Sequence, residues 1–222
     1  MCGRFVCKST MDELVEAFQI DEVSDDLPEP SYNIGPSGSV LAIIGNGKRK
    51  LGMLQWGLVP SWAKDPEIGH KMINARAETL TEKPSFRDAF KKRRCLIVAN
   101  GFYEWRKDAD EKVPMYIYLK SNRPFAFAGL YEMWHSPEGE KLSTCTIITT
   151  APNSLMKPIH NRMPAIIPAY GYDHWLDRNV TDPEVLQALL APYPAEEMAA
   201  YAVSRWVNSP RNNSEKCIAP AE

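Results

Sequence analysis

From residue 95 to residue 150 the chain is an almost unbroken series of strand-forming runs, which limits the folds open to it more than any other feature. "CLIVANGFYEW", "VPMYIYLK", "FAFAGLYEMW" and "STCTIITT" are dense in β-branched and aromatic residues, separated by the polar turns "KDADEK", "KSNR" and "SPEGEK". Such residues fit the half-buried face of a pleated sheet, and connections this short join antiparallel neighbours. The run reads as an antiparallel meander. Upstream, "SVLAIIG" and "LGMLQWGLV" flank the turn "GNGKRK" and read as a hairpin. Helices are few and short. Residues 10–20 form an amphipathic one, opened by a capping box of Thr10 and Glu13, with Met11, Leu14, Val15 and Phe18 on its apolar face. Others fall at 84–93, with Phe86, Ala89 and Phe90 on one side, at 153–157, near 171–177, and at 183–190, where Asp182 caps and Pro183 takes the first position. "MPAIIP" and a segment near 201–207 supply the last strands. Strands and helices do not alternate as in a doubly wound sheet. The expected fold is therefore α+β: a single domain over residues 1–222, with a curled, mostly antiparallel, barrel-like β core and short peripheral helices.

Composition agrees with one ordinary globular core, at 222 residues, 44% hydrophobic and 24% charged. No apolar run approaches the ~20 residues that cross a bilayer, and the N-terminus lacks the charged and apolar regions of a leader. The cysteines at 2, 7, 95, 145 and 217 are odd in number and contain no CxxC pair. That pattern argues against a disulfide framework or a zinc site and for a reducing, cytoplasmic setting. A net charge of −2 weighs mildly against nucleic-acid binding, unless basic groups are gathered in one groove.

Four stretches carry residue types suited to chemistry. "MCGRF" sets a cysteine behind the initiator methionine, and its small side chain permits trimming of Met1. Trimming would leave an α-amine and a thiol on adjacent carbons, titrating ordinarily near pH 8 and 8.5. Gly3 allows close approach of a ligand and Arg4 suits an anion. "WGLVPSWAKD" and "MINARAET" place Trp56, Trp62, Asn74, Arg76 and Glu78 around one loop. In "NGFYEW", alternation with Phe102 turns Glu104 inward, where a buried carboxylate suits acid–base work or pairs with an arginine. "IHNRMP" puts His160 and Arg162 on a loop entering a strand. Each has a structural alternative: Cys2 as an inert core thiol, the tryptophans as core, Asn74 as a backbone partner, His160 as a surface residue.

The opening "MCG" resembles the class II glutamine amidotransferases, whose N-terminal cysteine is the nucleophile, but their arginine–glycine–proline–aspartate type motif and glutamine-binding pattern are absent. A second resemblance covers essentially the whole chain. "MCGRF", "PSYNIGPS", "WGLVPSWAKD", "INARAET", "RCLIVANGFYEW", "FAFAGLYEMW", "CTIITT", "IHNRMP" and "VSRWVNSPRNN" occur in order. On these motifs the chain is identified as a member of the SOS response-associated peptidase (SRAP) family. The resemblance implies removal of the protein's own Met1 and a covalent thiazolidine between Cys2 and abasic sites in single-stranded DNA. By position it implies Cys2, Asn74, Glu104 and His160 as catalytic residues. Gly3, Arg4, Pro36, Trp62, Arg76 and Arg162 fall at its DNA-contacting positions. It implies a monomer without metal or cofactor, acting on single strands and at single-strand/duplex junctions. Asn100 and Asn161 stand where the family usually has aspartate, and Gly35 where it usually has alanine. A carboxylate missing beside His160 would favour its neutral ring. The other readings are a non-covalent single-strand-binding module, an amidotransferase-like hydrolase and a general thiol peptidase.

Overall fold

The computed structural model describes residues 2–45, 47–109 and 111–221. In chain order its elements are β1 (Phe5–Cys7), α1 (Met11–Phe18), β2 (Glu22–Val23), β3 (Ser31–Ile34), β4 (Ser39–Gly45), β5 (Arg49–Trp56), β6 (Asn74–Arg76), α2 (Arg87–Lys92) and β7 (Arg94–Ala99). There follow β8 (Gly101–Asp108), β9 (Glu111–Leu119), β10 (Phe125–His135), β11 (Lys141–Thr150), β12 (Met163–Pro164), β13 (Ile166–Ile167), α3 (Tyr172–Leu176), α4 (Pro183–Ala188) and β14 (Met198–Ala202). The α+β domain with a barrel-like core is what these elements build. The antiparallel hydrogen-bonding neighbours β5–β4–β7–β10–β11 curl until β11 pairs in parallel with β5 at Thr144–Gln55 and Cys145–Trp56, closing a barrel. A second, five-stranded sheet runs in the order β14-β9-β8-β1-β3.

The expected meander is divided between these sheets. "CLIVANGFYEW" is not one strand: it leaves the barrel at Ala99, turns at Asn100 and enters the second sheet at Gly101. Asn100 makes the corner because its side chain serves the neighbouring segment. Oδ1 accepts from Lys8 N at 2.7 Å and Ser9 N at 3.1 Å, and Nδ2 donates to Ser9 Oγ at 2.9 Å. Only glycine fits next, since a Cβ on Gly101 would lie 2.4 Å from the Tyr116 ring. Thus β8–β9 is a hairpin of one sheet and β10–β11 a hairpin of the other.

One helical expectation and one strand are corrected. At 153–157 the chain forms turns over 154–159 instead of a helix: the Asn153 side chain caps the start by accepting from Met156 N at 3.0 Å, but Pro158 has no N–H to continue the ladder. The last strand is Met198–Ala202, earlier than 201–207, since Ser204 caps a 3-10 turn at Arg205–Asn208. The helix expected near 171–177 is present as α3, Tyr172–Leu176, preceded by a 3-10 turn at Ala169–Gly171. The capping box of α1 forms, with Glu13 N to Thr10 Oγ1 at 3.4 Å and Thr10 N to Glu13 Oε2 at 3.0 Å. Asp182 likewise caps α4 by accepting from Glu184 N at 2.9 Å.

The sheets meet across an aromatic seam. Phe5 and Phe102 are register partners on one face of the second sheet, and their rings meet Trp56 and Phe127 of the barrel at centroid distances of 5.4 Å for Phe5–Trp56 and 6.0 Å for Phe102–Phe127. The opposite face, with Val6, Tyr103 and Tyr116, is covered by Val203, Val207 and Cys217 from the C-terminal segment. Burying these rings contributes roughly 2–3 kcal/mol each to holding the two sheets together. Away from it, the buried Arg94 guanidinium donates to the carbonyls of Phe90, Lys91, Trp175, Asp177 and Val180, tying α2 and α3 to the barrel. Among the described residues, no helix is long and apolar enough to cross a membrane.

Candidate active site

Strand alternation decides where the carboxylate goes. Glu104 lies two residues beyond Phe102 on β8, shares its inward face and is 4% exposed. Tyr103 N donates to Arg4 O at 2.9 Å, which draws β8 against the chain just after Cys2. Cys2 is fully buried, 0% exposed, and within electrostatic reach of Glu104. Burial, then the Glu104 charge, push the Cys2 thiol far above its ordinary value, against a weaker lowering by the Arg4 backbone N–H donated to sulfur. A thiol titrating near 8.5 is therefore not what the fold holds: Cys2 is protonated at neutral pH. Cys7, Cys95, Cys145 and Cys217 are also free and buried. The expected trimming of Met1 concerns a residue outside those described.

Asn74 opens β6, which runs parallel to β11 with Asn74 opposite Ile147 and Arg76 opposite Thr149. The carbonyl of Ile73 receives the Asn74 amide Nδ2 at 2.8 Å, the Trp56 indole Nε1 at 2.8 Å and Ile147 N at 3.1 Å. This fixes the sense of the Asn74 amide, because the reverse would set two acceptors face to face. Asn74 Oδ1 is left buried with no hydrogen-bond partner among the described residues. Trp56, whose ring edge meets Phe5, joins this amide to the strand that follows Cys2. Trp56 is thus core, 0% exposed, and holds the site from beneath.

His160 and Arg162 stand beside β6 and β11. His160 Nδ1 lies 3.0 Å from Arg162 N and 3.2 Å from Arg162 O, so the backbone of Arg162 holds the ring in place. Arg162 Nη1 and Nη2 donate to Glu78 Oε1 and Oε2 at 2.6 and 2.9 Å, and Nη2 also to Thr149 O at 2.7 Å. The Glu78 carboxyl is lowered below its ordinary range, chiefly by that bond from Arg162, with Arg76 adding a smaller attraction. Asn161 is exposed, so it adds no buried polar group beside the histidine.

The other predicted contacts are placed unequally. Trp62 is 58% exposed, and Pro36 and Arg76 are also exposed. Gly3 is half-buried between Cys2 and Arg4. Arg4 does not point freely outward: Nη1 donates to Asn33 Oδ1 at 2.7 Å and Val207 O at 3.2 Å, while burial lowers its pKa. Its side chain passes beneath the "NIGP" loop, since a Cβ on Gly35 would lie 3.5 Å from Arg4 Nε. Asn33 is a residue that sequence reasoning passed over. It accepts from Arg4 and donates to the carbonyls of Val207, Ser209 and Asn212, clasping the C-terminal segment to β3. The signal was a lone asparagine in the strand "SYNI", where strand propensity is poor. Trp105 was missed as well; its indole donates to Asn208 Oδ1 at 2.8 Å, holding the same segment next to Glu104.

A buried thiol thus lies within electrostatic reach of a carboxylate, and the Asn74 amide oxygen is buried without a partner among the described residues. The family model for SOS response associated peptidase (SRAP) matches residues 1–210. The chain is 55% identical over 224 residues to the abasic site processing protein YoqW of Bacillus subtilis, covering 98% of this chain and 99% of that one. It is 31% identical to the abasic site processing protein HMCES of Xenopus tropicalis, covering 99% of this chain and 78% of the relative. A crystal structure of a Bacteroides thetaiotaomicron protein, 30% identical, superposes with a TM-score of 0.87 over 98% of this chain and 100% of that one. The chain belongs to the SOS response associated peptidase (SRAP) family.

Proposed function

We propose that the protein processes abasic sites in single-stranded DNA by covalent capture on Cys2 after loss of Met1. The observation that carries this reading is the fully buried Cys2 thiol beside the inward Glu104 carboxylate, in a chain whose relatives are named for abasic-site processing. An abasic deoxyribose is mostly a closed ring, and Glu104 is placed to give and take the proton that opens it to the aldehyde. The Cys2 α-amine attacks that carbon, water leaves, and an imine forms. The thiol then adds to the same carbon: sulfur bonds to carbon, and its proton passes to nitrogen by way of Glu104. Closure is intramolecular and forms a five-membered ring, which removes most of the entropic barrier.

The protonated state of the resting thiol supports this order, amine first and sulfur second. It also argues against a general thiol peptidase, which needs a thiolate before substrate arrives. Asn74 Oδ1 is a ready acceptor for an N–H of the attacking amine. His160 serves as a proton carrier or phosphate donor. Arg4, Arg76 and Arg162 are the phosphate-binding cations, Gly3 lets the backbone approach closely, and Trp62 is a base-stacking platform indifferent to sequence. Pro36, exposed at the tip of its loop, suits contact with the strand where it meets a duplex. A monomer working in the cytoplasm suffices for each of these steps, and none calls on a metal or cofactor.

The test is a denaturing gel after mixing the protein with a single-stranded oligonucleotide carrying one abasic site. A shifted band with the parent and none with Cys2→Ala is the expected result. Retention of the band in Cys2→Ala sinks the reading.

A further inference from the structure

Arg162 enters the functional reading as a phosphate contact, yet the forked end of its guanidinium is already engaged. Glu78 grips Nη1 and Nη2 with both carboxylate oxygens at 2.6 and 2.9 Å, and the Thr149 carbonyl takes Nη2 from the side at 2.7 Å. The arginine side chain is 17% exposed, whereas Glu78 is 53% exposed at the head of a short 3-10 turn, Ala77–Thr79. A carboxylate presents two oxygens to such a fork much as a phosphate does. Arg4 differs, since its partners among the described residues are the neutral Asn33 amide and Val207 carbonyl. Among the described residues Arg4 thus has only neutral partners, whereas Arg162 holds a carboxylate.

We propose that Glu78 is an internal anion that competes with the DNA backbone for Arg162. Intact single strands are thereby held weakly, and Arg162 turns to a phosphate only once the strand is fixed elsewhere in the site. The inference rests on Arg162 being a phosphate contact. Two features make the exchange feasible. Glu78 is exposed enough to swing into solvent without burying a charge, and Arg76, exposed on the adjoining strand, attracts it after release. The carboxyl is held below its ordinary range, so it is an anion throughout the neutral region and competes there at full strength.

The experiment measures fluorescence anisotropy in a Cys2→Ala background, so that no covalent step intrudes. Two labelled single-stranded oligonucleotides are compared, one intact and one carrying a tetrahydrofuran abasic analogue. Glu78→Gln and Glu78→Ala should each bind the intact strand about three- to tenfold more tightly at low salt, the range an accessible bidentate ion pair permits. The ratio of affinities between the two oligonucleotides should shrink, and the gain should fade as salt rises. Adding Arg162→Ala to Glu78→Ala should abolish the gain, because nothing is left to compete for. Binding unchanged or weakened in both Glu78 variants overturns the proposal and makes Glu78 a positioning residue for Arg162. A gain that survives Arg162→Ala also overturns it, as an effect of net charge. If the Cys2→Ala parent binds neither oligonucleotide, the phosphate-contact reading itself fails and the proposal with it.

Discussion

Cys2 and Glu104 lie within electrostatic reach in the buried interior, and the Glu104 charge adds to burial in keeping the Cys2 thiol protonated. A thiolate waiting in this place would oxidise or alkylate before meeting DNA. A thiol relieved of its proton only after the imine has formed does not.

Glu104→Gln keeps the shape of the side chain and removes the proton carrier. Crosslinking of abasic single strands should slow by about 10²- to 10⁴-fold, the usual contribution of a positioned acid–base group. Time courses on denaturing gels check this with protein already lacking Met1. A rate within about threefold of the parent would remove Glu104 from the mechanism.

Asn74→Asp probes the fixed amide. The substitution puts an acceptor in place of Nδ2, opposite the Ile73 carbonyl now 2.8 Å away. The clash should cost roughly 1–3 kcal/mol of stability at neutral pH and slow crosslinking by at least about tenfold. Both losses should shrink as pH falls toward 4 and the carboxyl regains a proton to donate. Urea unfolding and gel assays across pH 4–8 would reveal a pH-independent defect, which would contradict this account of the amide.

Asn33→Asp tests the neutral partnership of Arg4. The neutral acceptor 2.7 Å from Arg4 Nη1 becomes an anion, and the donor to the Val207, Ser209 and Asn212 carbonyls is lost. Affinity for single-stranded DNA should fall by about tenfold, with a shallower salt dependence, because one phosphate contact is given up. Unchanged affinity and slope would mean that Arg4 is structural.

Buried thiols set an alkaline limit on the fold. Cys7 is pushed up by burial to about 12, and Cys2, Cys95 and Cys145 move in the same direction. The unfolded chain releases these protons near pH 8.5 while the folded chain keeps them, so the unfolded state binds fewer protons above that pH. The stability they contribute is complete below about pH 8.5 and is lost progressively as pH rises toward the folded values. Urea midpoints measured from pH 7 to 10.5 should be level at first and then decline, and a flat profile would contradict the burial of these groups.

Much of this was legible because it is local. The capping box of α1, the Asp182 cap of α4 and the hairpin of β4 and β5 are set by residues a few positions apart. The inward turn of Glu104 follows from the two-residue period that also buries Phe102. Contacts between distant segments were hidden. Nothing near Asn100 announces that its side chain bonds to Lys8 and Ser9, and so that the strand run divides between two sheets there. Parallel closure of the barrel through β5 and β11 joins segments far apart in the chain. Arg162 and Glu78 are separated by 84 positions, and either one read alone is a surface charge. The raised pKa of the Cys2 thiol depends on burial and on Glu104, both properties of the folded chain.

The central claim is tested most directly by intact mass spectrometry of the product formed with an abasic oligonucleotide, before and after borohydride treatment. The account predicts a protein lacking Met1, joined to the DNA with loss of one water, and taking up no hydrogen on reduction because sulfur has closed the ring. An adduct that retains Met1, or one that gains two hydrogens and so remains an open imine, would contradict it.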